Sequence, residues 1–199
     1  LNKLFFIYGK EDFLIDGKIN EIRKSIDKAA GGQVAVEDWQ AADLDWEKLV
    51  GFTLGGGLFS SMHLVIIRNF DELELDDKEE AFGKIASALP DSLALVLVQE
   101  AAPKNNPFYN SFIKRAQVFE YQPFAKWQET EIDRWISGQV KLRQKSISSD
   151  AIELLAETAG QDLRALSQEI DKLATYVGEK TEIDFNDVSA VASEGELDI

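Results

Sequence analysis

A chain of 199 residues with 21 basic and 36 acidic side chains has a formal charge of −15, and its 45% hydrophobic content supplies a core for one large or two small domains. The absence of cysteine excludes disulfides, thiolate zinc sites, iron–sulfur clusters and thiol nucleophiles, and the single histidine, His63, excludes His-rich metal sites. An acidic balance of this size argues against unaided binding of nucleic acid, which needs a concentrated basic surface, and leaves protein partners open.

Lys3–Tyr8 (KLFFIY) has the compact apolar character of a buried strand, ended by Gly9. Phe13, Leu14, Gly17, Ile19, Ile22 and Ile26 then recur at helical spacing, predicting a helix to about Ala30 that Gly31-Gly32 closes. Gln33–Glu37 reads as a second strand and Asp45–Phe52 as a helix. His63–Ile67 (HLVII) and Leu93–Val98 (LALVLV) are near-continuous apolar runs, the signature of strands buried on both faces of a parallel sheet. Between them Ala81, Phe82, Ile85, Ala86 and Leu89 mark one face of a helix that stops at Pro90. A short helix near Phe108–Ile113 leads to a last strand, Ala116–Tyr121. Strands alternating with helices predict a parallel α/β sheet with right-handed crossovers.

After Pro123 the strand patterns stop. Lys126–Lys141 is a helix carrying Trp127 and Trp135 near one face. Ser148 or Ser149 caps the next, with Ile152, Leu155 and Ala159 inward and Gly160 at its end. Asp162 starts a third with the stripe Leu163, Leu166, Ile170, Leu173 and Val177, and Asp184 caps a fourth around Phe185–Ala192, with Val188 and Val191 inward. The expected organisation is an α/β domain over residues 1–122 and a small helical domain over 123–199.

A strand, a glycine and then a helix is the setting of a phosphate-binding loop, and the spacing G-x-x-x-x-G-K-[ST] tests it. Counted from Gly9, the second glycine position holds Leu14, the lysine position Ile15 and the hydroxyl position Asp16, so none of the three matches. Gly17-Lys18 is a displaced echo, and Ile19 lacks the magnesium-binding hydroxyl. Asp71-Glu72, an acidic pair beyond a strand end, has no phosphate cradle to act with and reads as a solvated turn leading into the acidic run Asp71–Glu80. Asp76-Asp77 and Glu79-Glu80 suit an exposed helix start, where acids meet the helix dipole. His63 opens an apolar strand and has a structural role. Trp127 and Trp135, eight residues apart, are packing residues rather than a stacking platform for bases, since few cations surround them. Lys141, Arg143 and Lys145 form the one compact basic cluster, a solvated helix end in isolation and a candidate phosphate contact within a larger assembly. No apolar run approaches the ~18 residues of a membrane span, Leu4–Tyr8 is too short for a signal peptide, and a cytoplasmic protein is expected.

Leu54-Gly55-Gly56-Gly57-Leu58-Phe59-Ser60-Ser61-Met62 remains. Three consecutive glycines make the segment costly to order, and the large apolar residues after them need burial. Leu58 and Phe59 either join the core of the sheet domain or project as an anchor for a partner's pocket, a pair whose burial is worth about 3–6 kcal/mol of transfer free energy.

Three stretches, FFIYGKEDFLIDGKINEIR, LFSSMHLVIIRNF, and AGQDLRALSQEIDKLATYV with the following TEIDFNDV, resemble the delta subunit of the bacterial DNA polymerase III clamp loader over essentially the whole chain. The resemblance implies an AAA+-like five-stranded parallel sheet domain (a P-loop NTPase-like fold, inactive), a helical lid, and a collar domain that would begin about where this chain ends. It implies a subunit that binds the ring-shaped sliding clamp (the beta subunit) and opens it for loading onto primed DNA, hydrolysing no ATP itself and needing no cofactor. Leu58 and Phe59 match the family's clamp-binding leucine–phenylalanine pair, although the preceding triple glycine departs from expectation. The implied partners are the clamp, the gamma/tau and delta prime loader subunits through the collar, and DNA only indirectly, in the bacterial cytoplasm at the nucleoid-associated replisome. The rival readings are a degenerate AAA+ ATPase, which saturable magnesium-dependent ATP binding would reveal, and another non-catalytic loader or adaptor subunit, which would show no affinity for the clamp.

Overall fold

A computed structural model describes residues 3–32, 34–54, 62–74, 78–124, 129–160 and 162–195. The chain divides into two compact units, Leu1–Pro123 and Phe124–Ile199. The first alternates strictly between β1 (Leu4–Gly9), α1 (Asp12–Ala29), β2 (Val34–Gln40), α2 (Trp46–Leu54), β3 (Met62–Arg68), α3 (Glu79–Ser87), β4 (Leu93–Gln99), α4 (Pro107–Phe112) and β5 (Gln117–Tyr121). All pairings are parallel, in the order β2-β3-β4-β1-β5. The register sets Phe6 opposite Leu97, Ile7 opposite Phe119 and Val65 opposite Leu95.

Because successive side chains of a strand point to opposite faces, the apolar runs split into two cores. Phe5, Ile7, Leu64, Ile66, Ala94 and Val96 face α1, whose Ile15, Ile19, Ile22 and Ile26 recur at three- and four-residue intervals and are all buried. Leu4, Phe6, Val65, Ile67, Leu95 and Leu97 face the opposite way, towards Leu49 of α2, Phe82 and Ala86 of α3, and Tyr109 and Phe112 of α4. At the centre of that second core Phe70 meets Phe6 edge-on at 6.3 Å, Phe82 at 5.3 Å and Phe112 edge-on at 6.1 Å, geometries that aromatic rings favour. Asn106 caps α4 by accepting the Tyr109 amide at 2.9 Å, with Pro107 at the first helical position.

Several details of this unit differ from the sequence reading; in α1, Gly17 is exposed and Ile15 takes the inward place. β2 runs on to Gln40, past the expected end at Glu37, because its polar residues are tolerated on a half-exposed edge strand. Ala81 is exposed; the inward stripe of α3 is Phe82, Gly83 and Ala86. A β-carbon on Gly83 would stand 2.8 Å from the Ser111 hydroxyl, so α3 and α4 approach one another through that glycine.

The second unit contains α5 (Glu129–Leu142), α6 (Ser149–Ala159), α7 (Leu163–Tyr176) and α8 (Phe185–Gly195). Ile132, Ile136 and Val140, Ala151 and Leu155, Leu163, Leu166, Ile170 and Leu173, and Val188 form its interior. Asp162 caps α7 through the Ala165 amide at 2.9 Å. Asp184 and Asp187 cap α8 reciprocally: Asp184 accepts the Asp187 amide at 3.2 Å while Asp187 accepts the Asp184 amide at 2.8 Å. Ser148 occupies the cap position of α6, but its hydroxyl donates to the Asp150 carboxylate. The sequence showed no strand here; the structure has a two-residue parallel pair, β6 (Ser146–Ile147) with β7 (Glu182–Ile183), which ties the end of α5 to the start of α8.

Candidate functional site

The segment carrying Leu58 and Phe59 lies outside the described residues. Its flanks are defined. α2 leads into it and β3 leaves it at Met62, at the end of the sheet where β3 and β4 begin. Phe52 in the last turns of α2 stacks on His63 at 4.1 Å and lies parallel to Trp39 of β2 at 6.4 Å. His63 therefore packs between elements, and its Nδ1 is buried without a hydrogen-bond partner. On the same face Lys48 of α2 reaches Glu37 of β2 at 2.7 Å.

The opposite end of the sheet, where the strands finish, is the usual mouth of a nucleotide site in parallel α/β folds. Here the residues do not fit a magnesium–nucleotide complex. Gly9 ends β1 with φ +138°, and a β-carbon there would lie 1.8 Å from the Tyr121 carbonyl oxygen, so β1 and β5 close on one another at the point where a loop would open. Only Lys10 and Glu11 separate Gly9 from α1. Three of the amides here are committed: Glu11 donates to the Tyr121 carbonyl at 3.1 Å, and Leu14 and Ile15 donate to the Glu11 carbonyl at 3.1 Å each. Ile15, at the lysine position, is buried in the α1 core. Lys18 binds Glu21 at 2.7 Å and sits 4.5 Å from the Phe119 ring centre, held against β5.

What the mouth does contain is a set of internal polar links. Arg68, closing β3, donates from Nε and Nη2 to the two oxygens of Asp38 on β2, at 2.9 and 3.2 Å, and from Nη1 to Asp16 on α1 at 3.1 Å. Hydrogen bonding to Asp38, reinforced by Asp16 against the cost of burial, raises the guanidinium further above its usual range. Tyr8 donates to Glu120 at 2.8 Å, and that carboxylate raises the phenol. Gln99, buried at the end of β4, accepts from the Tyr109 hydroxyl at 2.8 Å and donates to the Ala101 carbonyl at 2.6 Å. Burial, then the nearby Asp71, raises Tyr109. Asp71 and Glu72 lie exposed in a single 3-10 turn after β3, and the described residues hold no cluster of three or more metal-ligating side chains.

The remaining sequence candidates are also placed. Two of the three cations of the basic cluster are bound up within their own unit, while Lys141 is exposed: Arg143 donates to Asp171 at 2.6 Å, to the Gln139 carbonyl at 2.8 Å and to Ser167 at 3.2 Å. Lys145 reaches the carbonyls of Gly178 and Lys180. Arg143 and Lys145 thus brace this end of α5, and Lys141 keeps the solvated place expected of it. Trp135 is half-buried on α5, and Trp127 lies outside the described residues. The sequence reading singled out Asp16 but missed its partner Arg68. The available signal was a cation ending the strand, where a phosphate-loop protein carries an acid.

A five-stranded parallel sheet in this order, followed by a helical unit, is an AAA+-type architecture, here without the residues of a phosphate loop. RuvB of Thermotoga maritima, a Holliday junction branch migration motor, has a similar fold at 12% identity, with a TM-score of 0.53 over 98% of this chain and 62% of its own. The chain belongs to the DNA polymerase III delta subunit family, whose description matches residues 5–122. It is 23% identical to the DNA polymerase III subunit delta of Bacillus subtilis over 97% of this chain and 57% of that protein. The Bacillus subtilis DNA clamp loader delta protein superposes with a TM-score of 0.73 at 20% identity, covering 96% of this chain and 58% of that structure. The chain thus spans under two thirds of the length of these relatives. No helix among the described residues is long and apolar enough to cross a membrane.

Proposed function

We propose that this chain is the clamp-binding portion of a bacterial clamp-loader delta subunit: it grips the sliding clamp (beta) and biases the ring towards an open state for loading onto primed DNA, without hydrolysing ATP. Residues 1–122 act as the AAA+-like domain and 123–199 as the lid. The observation that carries the reading is an AAA+-type sheet, in a delta-family chain, whose phosphate-loop positions hold Leu14, Ile15 and Asp16. A subunit that has given up the nucleotide contributes by binding.

Leu58 and Phe59, between α2 and β3, fill an apolar pocket on the clamp. The open ring is favoured only by as much as delta binds it better than the closed one. Other loader subunits, gamma/tau and delta prime, join through a collar, and DNA is met indirectly inside the assembled loader. The setting is the cytoplasm, at the nucleoid-associated replisome. The test is retention of the chain on immobilised clamp from the same organism, beside a Leu58→Ala/Phe59→Ala variant. Wild type should be retained and the folded double variant lost. Retention of both refutes the anchor, and retention of neither points to an adaptor with another partner. Saturable magnesium-dependent ATP binding would instead support the degenerate ATPase.

A further inference from the structure

In a phosphate-loop NTPase the magnesium ion is held between the hydroxyl that follows the loop lysine and a carboxylate at a strand end. In this chain both places are occupied by residues of altered charge. The hydroxyl position, counted from Gly9, is Asp16, and the residue that ends β3 is Arg68. The strand end supplies the cation and the loop position supplies an anion, and they meet at 3.1 Å.

We propose that Arg68 is a built-in cation taking the place of the bound metal, tying α1 to β2 and β3 across the mouth of the sheet so that the unit holds its form without a ligand. The geometry favours this over a chance surface pair. Asp38 is engaged by two parallel N–H donors, the bidentate fork that suits guanidinium and that a lysine ammonium cannot make. The remaining donor edge is used by Asp16, so one planar group links three elements. Its partners lie 52 and 30 residues away in sequence, so the contact forms only when the fold does. The register places Asp38 beside Ile66 on the α1-facing side of the sheet, the side that Arg68 shares by alternation. Removing the guanidinium would take away the cation that the Asp16 and Asp38 carboxylates share.

This inference rests on the reading that the mouth takes no nucleotide, and the test separates the two. Thermal unfolding is followed for the wild-type chain, Arg68→Ala and Arg68→Lys, each alone, with millimolar calcium chloride, with sodium chloride of matched ionic strength, and with magnesium and ATP. The carboxylates are about two-fifths exposed, so the loss in Arg68→Ala is modest, about 2–5 °C. Calcium, a hard cation with a preference for carboxylate oxygens, should restore much of that loss where sodium does not, and should leave wild type unmoved. Arg68→Lys, which keeps the charge but not the fork, should fall between. An unchanged midpoint in Arg68→Ala, or a loss that sodium chloride reverses as well as calcium does, overturns the built-in cation and leaves the proposed function standing. A wild-type midpoint raised by magnesium and ATP together overturns both.

Discussion

In the sheet unit the side chains that join one element to the next are mainly apolar: four isoleucines under α1 on one face, and on the other a phenylalanine cluster that draws in residues from β1, α3, α4 and the turn after β3. In the helical unit the interior is a thin apolar stripe from each helix, supplemented by polar links at the helix ends. Arg143 links α5 to α7, Lys145 links the end of α5 to the turn after α7, and Lys180 holds the Asp184–Asp187 cap. A short chain segment buries little surface for its length, so it relies more on caps and braces. Apolar burial is indifferent to pH, whereas ion pairs respond to it, and the two units should therefore fail under different insults.

The largest expected effect comes from opening the apolar cluster. Phe82 is fully buried between α3, α4 and Phe70, so Phe82→Ala should cost about 3–5 kcal/mol. Denaturant unfolding read by amide signals from each unit should show the loss in the sheet unit. A loss of under about 1 kcal/mol would mean that the cluster relaxes around the cavity and that apolar burial carries less of the sheet unit's stability. Next comes Gly9→Ala. Its β-carbon would fall on the Tyr121 carbonyl at a positive φ, so β5 must shift or β1 must give up its last pairing. The expected cost is about 3 kcal/mol. A variant as stable as wild type would show that the closure of β1 on β5 at the mouth is loose.

The same contrast explains what the sequence could disclose. β1, β3 and β4 were legible because strands buried on both faces read as unbroken apolar runs, and the α1 stripe from Ile19 onward because isoleucine recurs at helical spacing; its first turns were not, since Ile15 is the buried residue there and Gly17 is exposed. β2 reads short at its polar end because an edge strand carries residues such as Glu37 and Asp38, whose partners, Lys48 and Arg68, come from other elements. β6 and β7 had no signal, since two-residue strands are too short for periodicity and are set by backbone bonds such as Ser148 to the Ile183 carbonyl at 3.0 Å. At the mouth, spacing alone sufficed to reject the phosphate loop. It could not find the Asp16–Arg68–Asp38 link, because residues so distant in sequence become neighbours only through sheet order.

The smallest effect tests the polar side of the comparison. The Arg143 hydrogen bond holds Asp171 below the usual carboxylate range, and Lys180, followed by the amides of Asp187 and Asn186, does the same for Asp184. A carboxyl whose folded value lies below its unfolded value, about 3.9 for aspartate, adds stability above that value and loses it as the pH falls through the folded one. Lys180 is raised by Asp184 and Asp187, so its contribution is present below the unfolded lysine value and disappears as the pH rises through the folded one. The sheet unit also has lowered carboxyls, but Glu80 pairs with Lys84 inside one helix, and Asp91 with Lys3 stands at the rim. Acidification below about pH 4 should therefore weaken the folded amide signals of residues 129–195 before those of residues 4–121, and added salt at neutral pH should act in the same order. Simultaneous loss, or loss of the sheet unit first, would mean that the polar braces of the helical unit add little beyond its apolar stripes.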